Sequence, residues 1–170
     1  MKKLFVTALL AQLALTGPAR CDSKPEKAVA AQNVIAQNAA DFVAKLPPTV
    51  FVLVSSKNEK EEKMKELGLL GPTPNTEFFV LPPEAVKPKI TRQGPPDYPR
   101  GAGPGKARIM ALISASGEVT AVCCLAASQP VFAGSAARSV AGWKFQPAKL
   151  KDAPVPVLFT QLIEFNTEIR

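Results

Sequence analysis

Histidine is absent from the 170 residues. Without it the chain can build neither Ser-His-Asp or Cys-His hydrolytic sites, nor His-ligated zinc, nor an imidazole proton shuttle. Most common enzyme designs are thereby excluded, and a non-enzymatic role is expected. Cysteine is scarce too. Cys21, Cys123 and Cys124 are too few and too oddly placed for a disulfide scaffold. Long apolar runs are missing beyond the first fifteen residues, because later stretches such as residues 50–54 are strand length and cannot span a membrane. Clusters of Lys and Arg interleaved with aromatics are also missing, so nucleic acid is not an expected partner. The formal charge of +7 does not alter this, because Lys2 and Lys3 fall in an acid-free leader and the remaining excess is spread along the chain.

Two motifs come close to a known chemistry and fall short. Gly103-Pro104-Gly105-Lys106-Ala107 resembles part of a phosphate loop, but Arg100 stands where the first glycine is required and Ala107 where Ser or Thr would hold magnesium. Cys123 and Cys124 are neighbours in an expected strand and so point to opposite faces. They read either as a thiol or soft-metal site or as two small apolar residues. No third ligand lies at a recognisable spacing, so no metal and no cofactor is expected. Asp97, Glu118, Asp152 and Glu164 show no spacing that pairs them for acid-base work.

The chain opens with the signature of export. Met1-Lys2-Lys3 is a positive n-region, residues 4–15 are an apolar h-region too short for a stable transmembrane helix, and Thr16-Gly17-Pro18-Ala19 supplies small residues for cleavage. Residues 1–19 are read as a signal peptide and the periplasm as the destination. Membrane contact would then come only through an uncleaved leader, anchored in the inner membrane, or through lipid on Cys21, which the bulky Arg20 before it opposes.

Composition divides the rest. Residues 20–48 read as a helix carrying Val29, Ile35, Phe42 and Val43, stopped by Pro47-Pro48. Residues 49–81 read as a small α/β accessory unit. It has a β-branched and aromatic strand from Thr49, a helix opened by the Ser56 and Glu59 capping box and closed by Gly68, and a returning strand. Residues 82–100 hold Pro82, Pro83, Pro88, Pro95, Pro96 and Pro99, a density that favours an extended linker. Tyr98-Pro99 at its end reads as an anchor on the domain that follows.

From residue 101 to 170 the order is strand, turn, strand, helix, strand. Residues 108–114 and 118–126 flank Ser116-Gly117, a tight hairpin turn. Both strands are apolar on both faces, so one face needs the helix and the other a second cover. The proline-rich strap, the N-terminal helix or a partner subunit could supply it. The helix carries Phe132, Ala136, Val140 and Trp143 as a core stripe. The last strand alternates through residues 155–165, and Pro156 with the polar Thr160, Gln161 and Glu164 suits an edge. The fold class expected is α+β: a small antiparallel three-stranded sheet with a packed helix.

This region resembles the C-terminal domain of the TonB energy transducer and its relatives. The resemblance rests on Pro96-Asp97-Tyr98-Pro99, the Ala115-Ser116-Gly117-Glu118-Val119 hairpin, Ser135-Ala136-Ala137, Trp143-Lys144-Phe145-Gln146-Pro147-Ala148 and the closing strand, over residues 95–166. It implies a periplasmic domain whose final strand pairs with a short segment of an outer-membrane TonB-dependent transporter or another envelope protein. The matching strand residues are Val157, Leu158, Phe159, Thr160, Gln161, Leu162 and Ile163. Tyr98, Pro99, Trp143, Phe145 and Pro147 would anchor the domain. With a cleaved leader the chain would act as an adaptor, and with a retained one it could pass on force. Two rival readings remain: a thiol or soft-metal handler using Cys123 and Cys124, and a structural homodimer formed by edge pairing of the last strand.

Overall fold

The computed structural model of the chain describes residues 35–36, 38–54 and 57–166. The leader, Cys21 and most of the first expected helix lie outside them. The described elements are α1 (Ala39–Ala44), β1 (Thr49–Val52), α2 (Lys57–Gly68), β2 (Glu77–Val80), β3 (Lys89–Arg92), β4 (Gly105–Ile113), β5 (Val119–Ala127), α3 (Pro130–Ala141), β6 (Lys144–Gln146), β7 (Ala148–Leu150), β8 (Ala153–Val155) and β9 (Val157–Phe165). Among the described residues no helix is long and apolar enough to cross a membrane.

The hairpin of β4 and β5 forms where two runs apolar on both faces meet a glycine turn. Gly117 has φ +83°, and a Cβ there would collide with the Phe145 carbonyl. Glycine is therefore required twice over, once for the backbone and once for the close approach. The approach is used: the Phe145 N–H donates to the Gly117 carbonyl at 2.8 Å, tying the turn to β6. Helix α3 starts with Pro130 in its first turn, which suits proline because that N–H has no helical partner. It lays Phe132, Ala136, Val140 and, just beyond its end, Trp143 onto Ile109, Ala111, Ile113, Val122, Phe159 and Ile163. This is the first core, on one face of the sheet.

The sheet itself corrects the three-stranded expectation. It has five strands in the order β2-β1-β9-β4-β5. Strand β9 runs antiparallel to β4 along its whole length, from Gly105 opposite Phe165 to Ile113 opposite Val157. On its other side lies β1, parallel, with Phe51 opposite Val157 and Val52 opposite Leu158. Strand β2 adds beyond β1, also parallel. The last strand is thus an internal strand over its first residues, and Pro156 precedes it rather than interrupting it. The physical reason is the two-sided apolarity of β4 and β5. Met110, Leu112, Ala121, Cys123 and Leu158 form a second apolar face, which Val50 and Val52 of β1 extend beside Leu158 and which Phe42 of α1 and Leu67 and Leu70 at the end of α2 cover. Each of the larger buried side chains contributes about 1.5–3 kcal/mol relative to exposure. The cover expected from the strap, the N-terminal helix or a partner subunit therefore comes chiefly from residues 36–70 of the same chain.

The proline-rich segment is docked along the domain. Within it, β3 pairs with β6, while Val86 and Lys149 exchange backbone hydrogen bonds of 2.8 and 2.9 Å. Ser139 Oγ and Trp143 Nε1 both donate to the Gly94 carbonyl, at 2.9 and 3.2 Å. Strands β7 and β8 form a small hairpin whose turn places Lys151 and Asp152 at φ +49° and +66°.

Candidate functional site

The two edges of β9 differ, and the difference builds the site. Toward β4 the ladder is complete. Toward β1, the Pro156 carbonyl accepts from Phe51 N–H at 3.0 Å and the Leu158 carbonyl accepts from Leu53 N–H at 3.4 Å. Backbone groups alternate along a strand. Since residues 156 and 158 turn toward β1, residues 160, 162 and 164 turn the same way. Among the described residues no strand lies opposite them on that side. Thr160, Leu162 and Glu164 therefore offer a short row of outward N–H and C=O groups. The Gln161 side chain donates to the Leu162 carbonyl at 3.0 Å, a local substitute for a strand partner.

The seven residues singled out in the last strand accordingly fall into two groups. Val157 and Leu158 are buried beside β1, their ladder partner. Phe159 and Ile163 point into the first core. Thr160 and Gln161 are half-buried, and Leu162 is 44% exposed on the second face. The open row ends one residue beyond Ile163, at Glu164, which has no counterpart among those seven. The alternation of apolar and polar residues carried the signal for which way side chains point, but not for which edge of the strand is free.

The expected anchors sit as follows. Tyr98 Oη donates to the Gly103 carbonyl at 2.8 Å, and its ring meets Phe132 and Phe165 edge-on, with centroids 6.5 and 5.9 Å away. This packs the aromatic against the far end of β9. Ser135 Oγ donates to the Asp97 carbonyl beside it. Pro99 is half-buried. Trp143 and Phe145 are buried in the first core, and Phe145 meets Phe159 at 5.2 Å. Pro147 follows β6, half-buried, at the base of the Gly117 turn. These residues hold the inner side of β9, away from its open row.

Charge near the site comes from Arg108, which lies opposite Leu162 in the ladder. Its guanidinium reaches Glu62 at 3.2 Å and the buried Glu66 at 3.1 Å, and Glu66 also takes Lys63 at 3.1 Å. No local spacing could reveal a partner 42 residues away. At the hairpin end, Glu118 pairs with Lys144 at 2.6 Å, and that hydrogen bond and charge hold its carboxyl below the usual range.

Cys123 packs in the second core and Cys124 beside the first, on opposite faces as the strand dictates. Burial pushes both thiols up, with the neighbouring Cys124 adding to the rise at Cys123. A raised pKa suppresses the thiolate that redox or metal chemistry needs. Among the described residues no group of three or more His, Cys, Asp or Glu is placed to hold a metal.

Residues 95–167 match the family described as the Gram-negative bacterial TonB protein C-terminal. Among solved structures, the chain is similar to the solution NMR structure of the Pseudomonas aeruginosa TonB CTD at 26% identity and a TM-score of 0.43. That match covers 49% of this chain and 90% of the other. No curated protein matches the chain.

Proposed function

From the match of residues 95–167 to the TonB C-terminal family we propose that the chain is a periplasmic interaction module that takes an extended segment of an outer-membrane TonB-dependent transporter as an added strand on β9. The observation that carries this reading is the row of outward backbone groups at Thr160, Leu162 and Glu164, unopposed by any strand among the described residues. Backbone hydrogen bonds would supply most of the affinity, and alternate side chains the selectivity. The half-exposed Leu162 and the Arg108 guanidinium beside it would face every second side chain of the added strand on the second face. On the other face, Gln161 would give up its contact with the Leu162 carbonyl to an incoming N–H.

The reading assigns catalysis to no residue and requires no cofactor. It is tested by titrating the isotope-labelled chain with synthetic peptides covering the periplasm-facing segments of the host's transporters. Amide shifts centred on Thr160, Leu162 and Glu164 support it, whereas shifts confined to β2 or β3 would move the docking edge elsewhere. A second experiment separates an adaptor from a force-transmitting protein. Passing force requires attachment to the inner membrane through the leader or Cys21. The intact mass of the chain from envelope fractions decides between a cut, soluble adaptor and an attached transducer.

A further inference from the structure

Strand β1 lies on the same edge of β9 that the strand-addition reading uses, and the following inference rests on that reading. The overlap is short in backbone terms: Phe51 and Leu53 donate to Pro156 and Leu158, and among the described residues no further pair follows. In side-chain terms it is deep. Val50 is fully buried and Val52, which lies opposite Leu158 in the ladder, is 4% exposed, and both share one core with Phe42, Leu67, Leu70, Met110, Leu112 and Leu158. Peeling β1 away would return Val50 and Val52 to water and open the flank of that core at Leu158. The transfer cost of those side chains is several-fold larger than what two replacement backbone hydrogen bonds give back. An incoming strand therefore gains nothing by invading the first residues of β9.

We propose that β1 is a built-in stop on the docking edge: an added peptide strand continues the line of β1 along β9, pairs with residues 160–164 only, and is limited to about five residues. Residues 157 and 158, part of the strand on which the resemblance placed the partner, are then structural in this chain. The accessory unit sets the partner's register, because the end of β1 leaves one starting place for it. Continuity with the β1–β9 ladder favours an extended peptide as occupant over a folded surface, since only a strand can carry on that hydrogen-bonding line.

Hydrogen exchange and a peptide length series test this together, on the full chain. In the free protein the Phe51 and Leu53 amides should be slowed at least about 10³-fold relative to unstructured amides; exchange at the unstructured rate would show β1 to be no fixed stop and overturn the proposal. A transporter peptide that shifts Thr160, Leu162 and Glu164 would be trimmed to five residues and extended to nine toward β1. Affinities within about twofold across the series, with Phe51 and Leu53 still protected, support the stop. Tightening of more than about tenfold on extension, with loss of that protection, means that the partner displaces β1 and overturns it. If no peptide shifts the edge, strand addition itself fails, while exchange at Phe51 and Leu53 still judges the stop. Shifts at residues 160–164 that depend on protein concentration alone would give the edge to a second copy and overturn the peptide reading.

Discussion

Strand β9 is held on its two sides by different means. Against β4 it has an unbroken antiparallel ladder, whereas against β1 it has two paired residues and a thick layer of side chains. The first interface is specified by backbone register and the second by burial. A strand can therefore be fixed in a sheet with little hydrogen bonding, provided its side chains close an apolar face that would otherwise be wet. The charged α2 makes the same point. It buries little beyond Glu66 and Leu67, yet its end seals the second core.

The largest blow to the packed side should come from Phe42→Ala, which removes a fully buried ring that no ladder supports. A loss of about 3–5 kcal/mol is expected in denaturant unfolding, within a single transition, because the second face of the C-terminal sheet is exposed at the same time. Two separate transitions would mean that the cover and the sheet are independent. The ladder side is probed by proline. Ile163→Pro removes a donor facing β4 and should cost about 3 kcal/mol or more. Leu162→Pro removes an outward donor instead, and should change stability by less than about 1 kcal/mol while weakening peptide binding at least about tenfold. Equal destabilisation by the two would refute the alternation on which the open row depends.

The hairpin turn comes next. Gly117→Ala forces a side chain into a left-handed backbone position and against the Phe145 carbonyl, for a loss of about 1–3 kcal/mol in thermal or denaturant unfolding. The smallest effect concerns Glu118, whose carboxyl is held low by Lys144 in the folded chain. A depressed folded pKa adds stability above the unfolded value, and that stability is lost as pH falls through the folded one. The pair is exposed, so the contribution is small and fades with salt. Glu118→Gln should remove this acid-side slope in the unfolding midpoint, while a slope unchanged by the substitution would assign it to other carboxylates.

Much of the C-terminal region was legible because its signals are local. A glycine turn between two apolar runs marks β4 and β5, and the stripe of Phe132, Ala136 and Val140 marks α3. The demand for a second cover was legible as well, from the two-sided apolarity of β4 and β5. The N-terminal helix offered as one possible cover does contribute Phe42, but the share taken by residues 49–70 and the place where they dock could not be read. The pairing of Phe51 with Val157 joins residues far apart in the chain, and parallel pairing leaves no turn signature between its partners. Taking β9 for an edge strand followed from that gap. The β7–β8 hairpin was hidden for a different reason: its left-handed turn positions are filled by Lys151 and Asp152 rather than by Asn-Gly. Strand β3 was hidden by the prolines around it, which mark an extended chain without saying what that chain lies against. For the candidate site itself, the residues of the last strand pointed to β9, while which of them face an edge with no strand opposite depended on three-dimensional alternation.

The chain has one tryptophan and one tyrosine. Trp143 is buried in the first core and its indole N–H donates to Gly94, while Tyr98 lies 37% exposed against Phe132 and Phe165. Intrinsic fluorescence is thereby a two-colour gauge. Release of the strap would leave the indole N–H without the Gly94 carbonyl and shift tryptophan emission to the red. Movement at the far end of β9 would register first in tyrosine emission, so a partner could be timed at each place without attaching a dye.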